Sequence, residues 1–213
     1  MNLPVFPLNT VLFPGGVIPL QVFEVRYLNM VKRCNLQREP FVIASLADGD
    51  EVQKPDSNNQ NTFEKERFYP FGTLAHIEQM QTIQSGLVRI VCRGGQRVHL
   101  DRCEKGPLGL WVADAGVIED DQFVTIPSEL SHIGDALADV LIRLNAEHPN
   151  ITGVVAPPAE GAEEWENAGW VANRWAELLP LPNELKVKLL TVESPLVRLE
   201  LIGDQLDEFG LGH

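Results

Sequence analysis

The sequence predicts an α+β fold with its two kinds of structure in succession: an antiparallel β sheet or small barrel with one short helix over residues 1–124, then an α-helical bundle over 125–213. Three observations carry this. Prolines and glycine pairs bracket short apolar runs in the first part, where no helix interior would tolerate them. Period-two alternation follows, as in Val88, Ile90 and Cys92 set against Arg89, Val91 and Arg93. From Leu130 onward, apolar residues recur at steps of three and four.

The elements follow in order. Leu3 to Leu20 places Pro4, Pro7, Pro14 and Pro19 around apolar runs with a Gly15-Gly16 turn, which indicates extended segments. Phe23, Tyr27, Met30, Val31 and Cys34 have helical spacing and predict one short amphipathic helix that ends before Pro40. Phe41–Leu46 reads as a strand, and the polar stretch Ala47–Glu66 as a mobile surface loop. Strands follow at Phe71–Ile83, Leu87–Arg93, Gln96–Leu100 and Leu110–Ile118, with turns at Gln84-Ser85-Gly86 and Arg93-Gly94-Gly95. Short strands with no long helix between them imply an antiparallel sheet or barrel. In the second part, Leu130, Ile133, Leu137, Leu141 and Leu144 form one helical stripe that stops by His148-Pro149. Further helices are expected over roughly 163–179, over 183–192, and after the cap pair Ser194-Pro195.

Composition narrows the function. Lys+Arg 17 against Asp+Glu 30 gives a net charge of -13, which disfavours a general polyanion binder or an electrostatic grip on anionic lipid. The excess is uneven: residues 1–124 hold 12 basic and 15 acidic residues, and residues 125–213 hold 5 and 15. No apolar run is long enough for a membrane span, and the N-terminus lacks the basic start of a signal peptide, so a cytoplasmic protein is expected. Cys34, Cys92 and Cys103 form no C-x-x-C pair and read as ordinary thiols.

A search for catalytic chemistry finds little. There is no phosphate loop, no dinucleotide fingerprint and no nucleophile elbow, and His76, His99, His132, His148 and His213 are scattered. No catalytic residue, cofactor or metal site is expected. Glu119-Asp120-Asp121 reads as a solvated linker. Glu24 and Arg26, two apart on a helix, are not expected to face each other. Trp165, Trp170 and Trp175 are spaced by five residues, so they cannot share one helical face, and at least one should lie away from the bundle core.

Two segments carry a family resemblance. Leu3-Pro4-Val5-Phe6-Pro7-Leu8 to Phe13-Pro14-Gly15, followed by Val22-Phe23-Glu24-Val25-Arg26-Tyr27, resembles the start of the N-terminal domain of Lon proteases. Phe71-Gly72-Thr73-Leu74-Ala75-His76-Ile77 is similar to that family's G-T-x-A-x-I strand. Gly94-Gly95-Gln96-Arg97-Val98 resembles its G-x-x-R-F segment, and Lys186, Leu189-Leu190 and Arg198-Leu199 its helical end. The resemblance implies a PUA-like pseudo-barrel with a helical bundle, serving as a substrate-recognition module without ATPase or peptidase.

The leading expectation is thus a non-catalytic binder of unfolded or specific polypeptide segments, working with a separate ATPase or protease chain. Phe6, Phe13, Phe23, Arg26 and Tyr27 are candidate interaction residues, with a structural role first, and Trp165 and Trp170 join them from the bundle. The alternative is an RNA-linked PUA-like module, for which Arg89, Arg93, Arg97 and Arg102 would have to form a basic face. An unrecognised hydrolase is the third reading.

Overall fold

The computed structural model describes residues 1–48, 67–149 and 152–211. The strands are β1 (Asn2–Leu8), β2 (Val17–Val22), β3 (Phe41–Asp48), β4 (Arg67–Gln84), β5 (Leu87–Lys105) and β6 (Trp111–Val117). The helices are α1 (Val25–Gln37), α2 (Ser131–Glu147), α3 (Ala168–Leu178), α4 (Asn183–Thr191) and α5 (Pro195–Glu208). The expected loop at Ala47–Glu66 lies almost wholly outside the described residues, as does His213.

The six strands form one sheet in the order β2-β5-β4-β3-β1-β6, with β5 also pairing β6. This corrects the expected PUA-like antiparallel pseudo-barrel to a mixed sheet. Val5 to Leu8 of β1 pair in parallel with Val42 to Ser45 of β3, while the other pairings are antiparallel. A parallel pair needs a crossover, and α1 lies on the path from β1 to β3. Among the described residues β2 pairs with β5 alone, so the sheet keeps an edge that a fully closed barrel would lack.

Proline placement follows from the pairing. β6 covers Asn2–Val5 of β1 and β3 covers Val5–Leu8, so Pro4 and Pro7 each face one partner strand. Pro19 lies on the edge strand β2, where a missing donor is tolerated. The predicted turn at Arg93-Gly94-Gly95 is absent, and β5 runs straight through it. Glycine serves close approach there: a Cβ at Gly94 would collide with the Phe13 carbonyl, and one at Gly95 would come 2.9 Å from His76 Nε2.

The helices largely follow the predicted pattern. Ile133, Leu137 and Leu141 are the buried stripe of α2. Asn167 caps α3 by accepting from the amides of Gly169 and Trp170 at 2.9 and 3.2 Å, so that helix starts later than expected. Ser194 caps α5 by accepting from Val197 N–H, with Pro195 in its first turn. Between sheet and bundle runs the segment after β1. Its Val11 and Phe13 belong to the helical core, whereas Leu12 between them belongs to the core under α1. Thr73 Oγ1 donates to the Leu12 carbonyl at 2.5 Å and pins this segment to β4.

Candidate polypeptide-binding surface

Five of the candidate residues gather at or near the start of α1 and the seam. Phe6 stacks on Tyr27 with ring centroids 4.0 Å apart, and the Arg26 guanidinium lies 4.4 Å above the Tyr27 ring. Phe6, Phe13, Arg26 and Tyr27 are all buried. Their first role is to hold β1, α1 and the seam together. Arg26 Nε also pairs with Glu24 Oε2 at 3.0 Å, contrary to the expectation from helical spacing. The reason is that Glu24 is extended and stands ahead of the helix, so the two are not separated by a helical rotation.

Phe23 differs from these four. It is 53% exposed, beside Val25 at 63%. Arg26 Nη1 donates to the Gly109 carbonyl at 3.2 Å, which draws the tip of the β5–β6 connection to the start of α1. At that tip Leu108 is 65% exposed and held at φ 60, in the left-handed region that costs a non-glycine residue about 1–2 kcal/mol. Phe23, Val25 and Leu108 thus make an apolar rim. Next to it opens a cleft of about 300 Å³ lined by Phe6, Leu20, Phe23 and Tyr27, along the edge of β2 that no described strand pairs. An open strand edge with apolar pockets beside it can add an extended chain as a further strand.

Trp165 and Trp170 lie elsewhere, in the bundle. Their rings meet edge to face at 5.5 Å, and the indole N–H of Trp165 donates to the Ala159 carbonyl at 3.1 Å. Both are half-buried, whereas Trp175 is in the core with its N–H on the Ile133 carbonyl. Trp165 forms one wall of a groove of about 780 Å³ against α2. The structure therefore splits the seven candidates between two surfaces and two cores, Phe13 with the helices and Phe6 and Tyr27 under α1.

The expected solvated linker needs a further correction, because Asp121 turns inward. Its carboxylate accepts from Arg97 at 2.8 Å and from two nitrogens of Arg198 at 2.5 and 3.2 Å. Arg97 also donates to the carbonyls of Leu190, Val192 and Glu119, tying β5 to the bundle. Arg97 is buried, and burial holds its guanidinium pKa below the usual value against the pull of Asp121. It is therefore unavailable to a basic face with Arg89, Arg93 and Arg102. Arg93 is itself paired with Glu78. Among the described residues no His/Cys/Asp/Glu cluster is placed to hold a metal ion, and no helix is long and apolar enough to cross a membrane. Cys34 and Cys92 are buried, with burial pushing the Cys92 thiol up to about 12, whereas Cys103 is exposed.

The motifs that carry the resemblance have physical reasons in this arrangement. Gly72 allows β4 to pass the Ile43 carbonyl at a distance no side chain permits, Thr73 pins the seam, and Arg97 and Arg198 converge on Asp121. Residues 2–208 match the family model of the ATP-dependent protease La (Lon) substrate-binding domain. The chain belongs to this family. The Lon N-terminal domain protein of Xanthomonas campestris has a solved structure with TM-score 0.69 and 29% identity, covering 95% of this chain and 96% of that one. The N-terminal domain of the Mycobacterium avium complex Lon protease shares the fold at TM-score 0.60 and 16% identity, covering 98% of this chain and 99% of that one. The Lon protease of Flavobacterium johnsoniae is 25% identical over 153 residues, which are 71% of this chain and 17% of that protein. That of Brevibacillus choshinensis is 22% identical over 203 residues, 94% of this chain and 24% of that protein. The chain thus spans about a fifth of the length of these relatives. The family model that it matches is described as a substrate-binding domain.

Proposed function

We propose that the chain captures exposed polypeptide segments along the β2 edge and over the rim of Phe23, Val25 and Leu108, in the cytosol, and presents them to an ATP-dependent protease core. The observation that supports this is the coincidence of a strand edge unpaired among the described residues, an apolar cleft and three exposed aliphatic or aromatic side chains at one end of the sheet. The buried members of the candidate set, Phe6, Phe13, Arg26 and Tyr27, serve this surface by positioning it. We further propose that residues 1–124 form the recognition unit and residues 125–213 a bundle that supports it.

Fluorescence anisotropy with a labelled, permanently unfolded protein and its folded counterpart tests the reading. The unfolded chain should bind in preference, and Phe23→Ser with Leu108→Ser should weaken it by about 1–3 kcal/mol, the scale of lost apolar anchors. Equal binding of the folded and unfolded proteins, or no effect of the double substitution, would sink it.

A further inference from the structure

We infer that the groove between α2 and the segment 158–166 is a second docking site, and that its occupant is a short polypeptide segment combining apolar residues with lysine or arginine. The inference rests on the recognition role proposed above and adds a distinct contact and a charge rule to it.

The groove is built rather than incidental. Gly134, Ala138 and Ile142 follow one another along one face of α2 and supply an apolar wall, with Ile142 exposed. Opposite stands Trp165, whose indole is fixed by its hydrogen bond to the Ala159 carbonyl and by the ring of Trp170. The floor at Thr125 and Ile126 is tied down by the bridge from Thr125 to Asn167 and by the Ile126 amide on the Glu166 carbonyl at 3.0 Å. A preformed trough of about 780 Å³ admits a few side chains of an extended or helical segment and excludes a folded surface.

Its charge selects the occupant. The charged residues that line it, Asp135, Glu160 and Glu166, are all acidic and all exposed, and among the described residues no lysine, arginine or histidine lines it. None of the three carboxylates is paired in an ion pair with a described residue. They are not gathered tightly enough to hold a metal ion. Spaced carboxylates around an apolar trough complement spaced cationic side chains flanking apolar ones, and they repel an acidic segment.

The test uses the full chain and two short labelled peptides of leucine spaced by glycine, one carrying lysines and the other glutamates at the same places. In anisotropy titrations at low salt the lysine peptide should bind about tenfold or more tightly than the glutamate peptide, with the difference shrinking as salt is raised. Ala138→Trp, which fills the trough, should abolish lysine-peptide binding, while Asp135→Lys with Glu160→Lys should invert the preference. Circular dichroism of the variants separates these effects from misfolding. Equal binding of the two peptides, or normal binding by folded Ala138→Trp, overturns the inference. Lysine-peptide binding that is lost only in the Phe23→Ser, Leu108→Ser variant overturns this groove but leaves the β2-edge reading standing. Absence of binding by both peptides and by the unfolded protein overturns both.

Discussion

Two buried arginines in the helical part show how differently one residue type can be held. Arg198 is 0% exposed and Arg174 is 1% exposed. Arg198 has its donors fully engaged: Nε on the Leu189 carbonyl at 3.1 Å, and the two terminal nitrogens on Asp121, Asn173 and the Val192 carbonyl. Arg174 has fewer partners. Its Nη2 donates to Glu177 at 2.9 Å and to the Pro14 carbonyl at 2.8 Å and its Nε is ion-paired with Glu177, but among the described residues neither Nε nor Nη1 finds a hydrogen-bond acceptor. A guanidinium taken from water is stable in proportion to how completely its donors are met. Arg198 is thus a rigid junction of linker, α3, α4 and α5, whereas the Arg174–Glu177 pair is a contact that can yield.

The pH behaviour of Glu177 follows from this. Its side chain keeps 21% of its exposure, yet burial pushes its carboxyl up to about 6, more strongly than Arg174 pulls it down. Arg174 is pulled below its usual value, again by burial first. Because the folded carboxyl is raised above its ordinary 4.5, its contribution is full below that pH and is lost as pH rises through about 6.

The contrast can be broken at either end. Arg198→Met should have the largest effect, a loss of about 3–5 kcal/mol in urea unfolding, since it takes a buried partner from Asn173 and leaves Asp121 to Arg97. If it unfolds at the wild-type midpoint, the view of Arg198 as the junction is wrong. Arg174→Met should cost less, about 1–3 kcal/mol, because Glu177 can take up a proton in place of its ion pair. A loss equal to that of Arg198→Met would erase the distinction. Smallest is the effect of Glu177→Gln. It should flatten a decline in stability of order 1–2 kcal/mol between pH 4.5 and about 6, read from thermal melts across that range. A wild-type profile already flat there would mean that the carboxyl is not raised.

Much of the secondary structure was legible because periodicity is a local property. The α2 stripe and the Ser194-Pro195 cap needed only neighbours within a few residues. Strand order was not local, and the parallel β1–β3 pair overturned the antiparallel expectation. The inward turn of Asp121 is hidden for the same reason. Its partners lie 24 and 77 residues away, and nothing in the triplet Glu119-Asp120-Asp121 marks which carboxylate turns inward. Gly94 and Gly95 look like a turn in sequence because glycine signals turns and close packing alike. Of the candidate surface, aromatic content was visible in the sequence, but which aromatic is exposed was not. Phe23 and Phe6 lie in similar apolar motifs, and only the stacking on Tyr27 separates them.

The alternation at Val11, Leu12 and Phe13 bears on any attempt to dissect the chain. Successive side chains there are owned by opposite cores. A fragment ending at 124 would inherit Val11 and Phe13 with no bundle to receive them, and so would carry a sticky seam of its own making. A fragment beginning at 125 would lack two of its core residues. Shortened pieces of this molecule would be less soluble or less ordered than the parent, although a border at that point looks natural from composition alone.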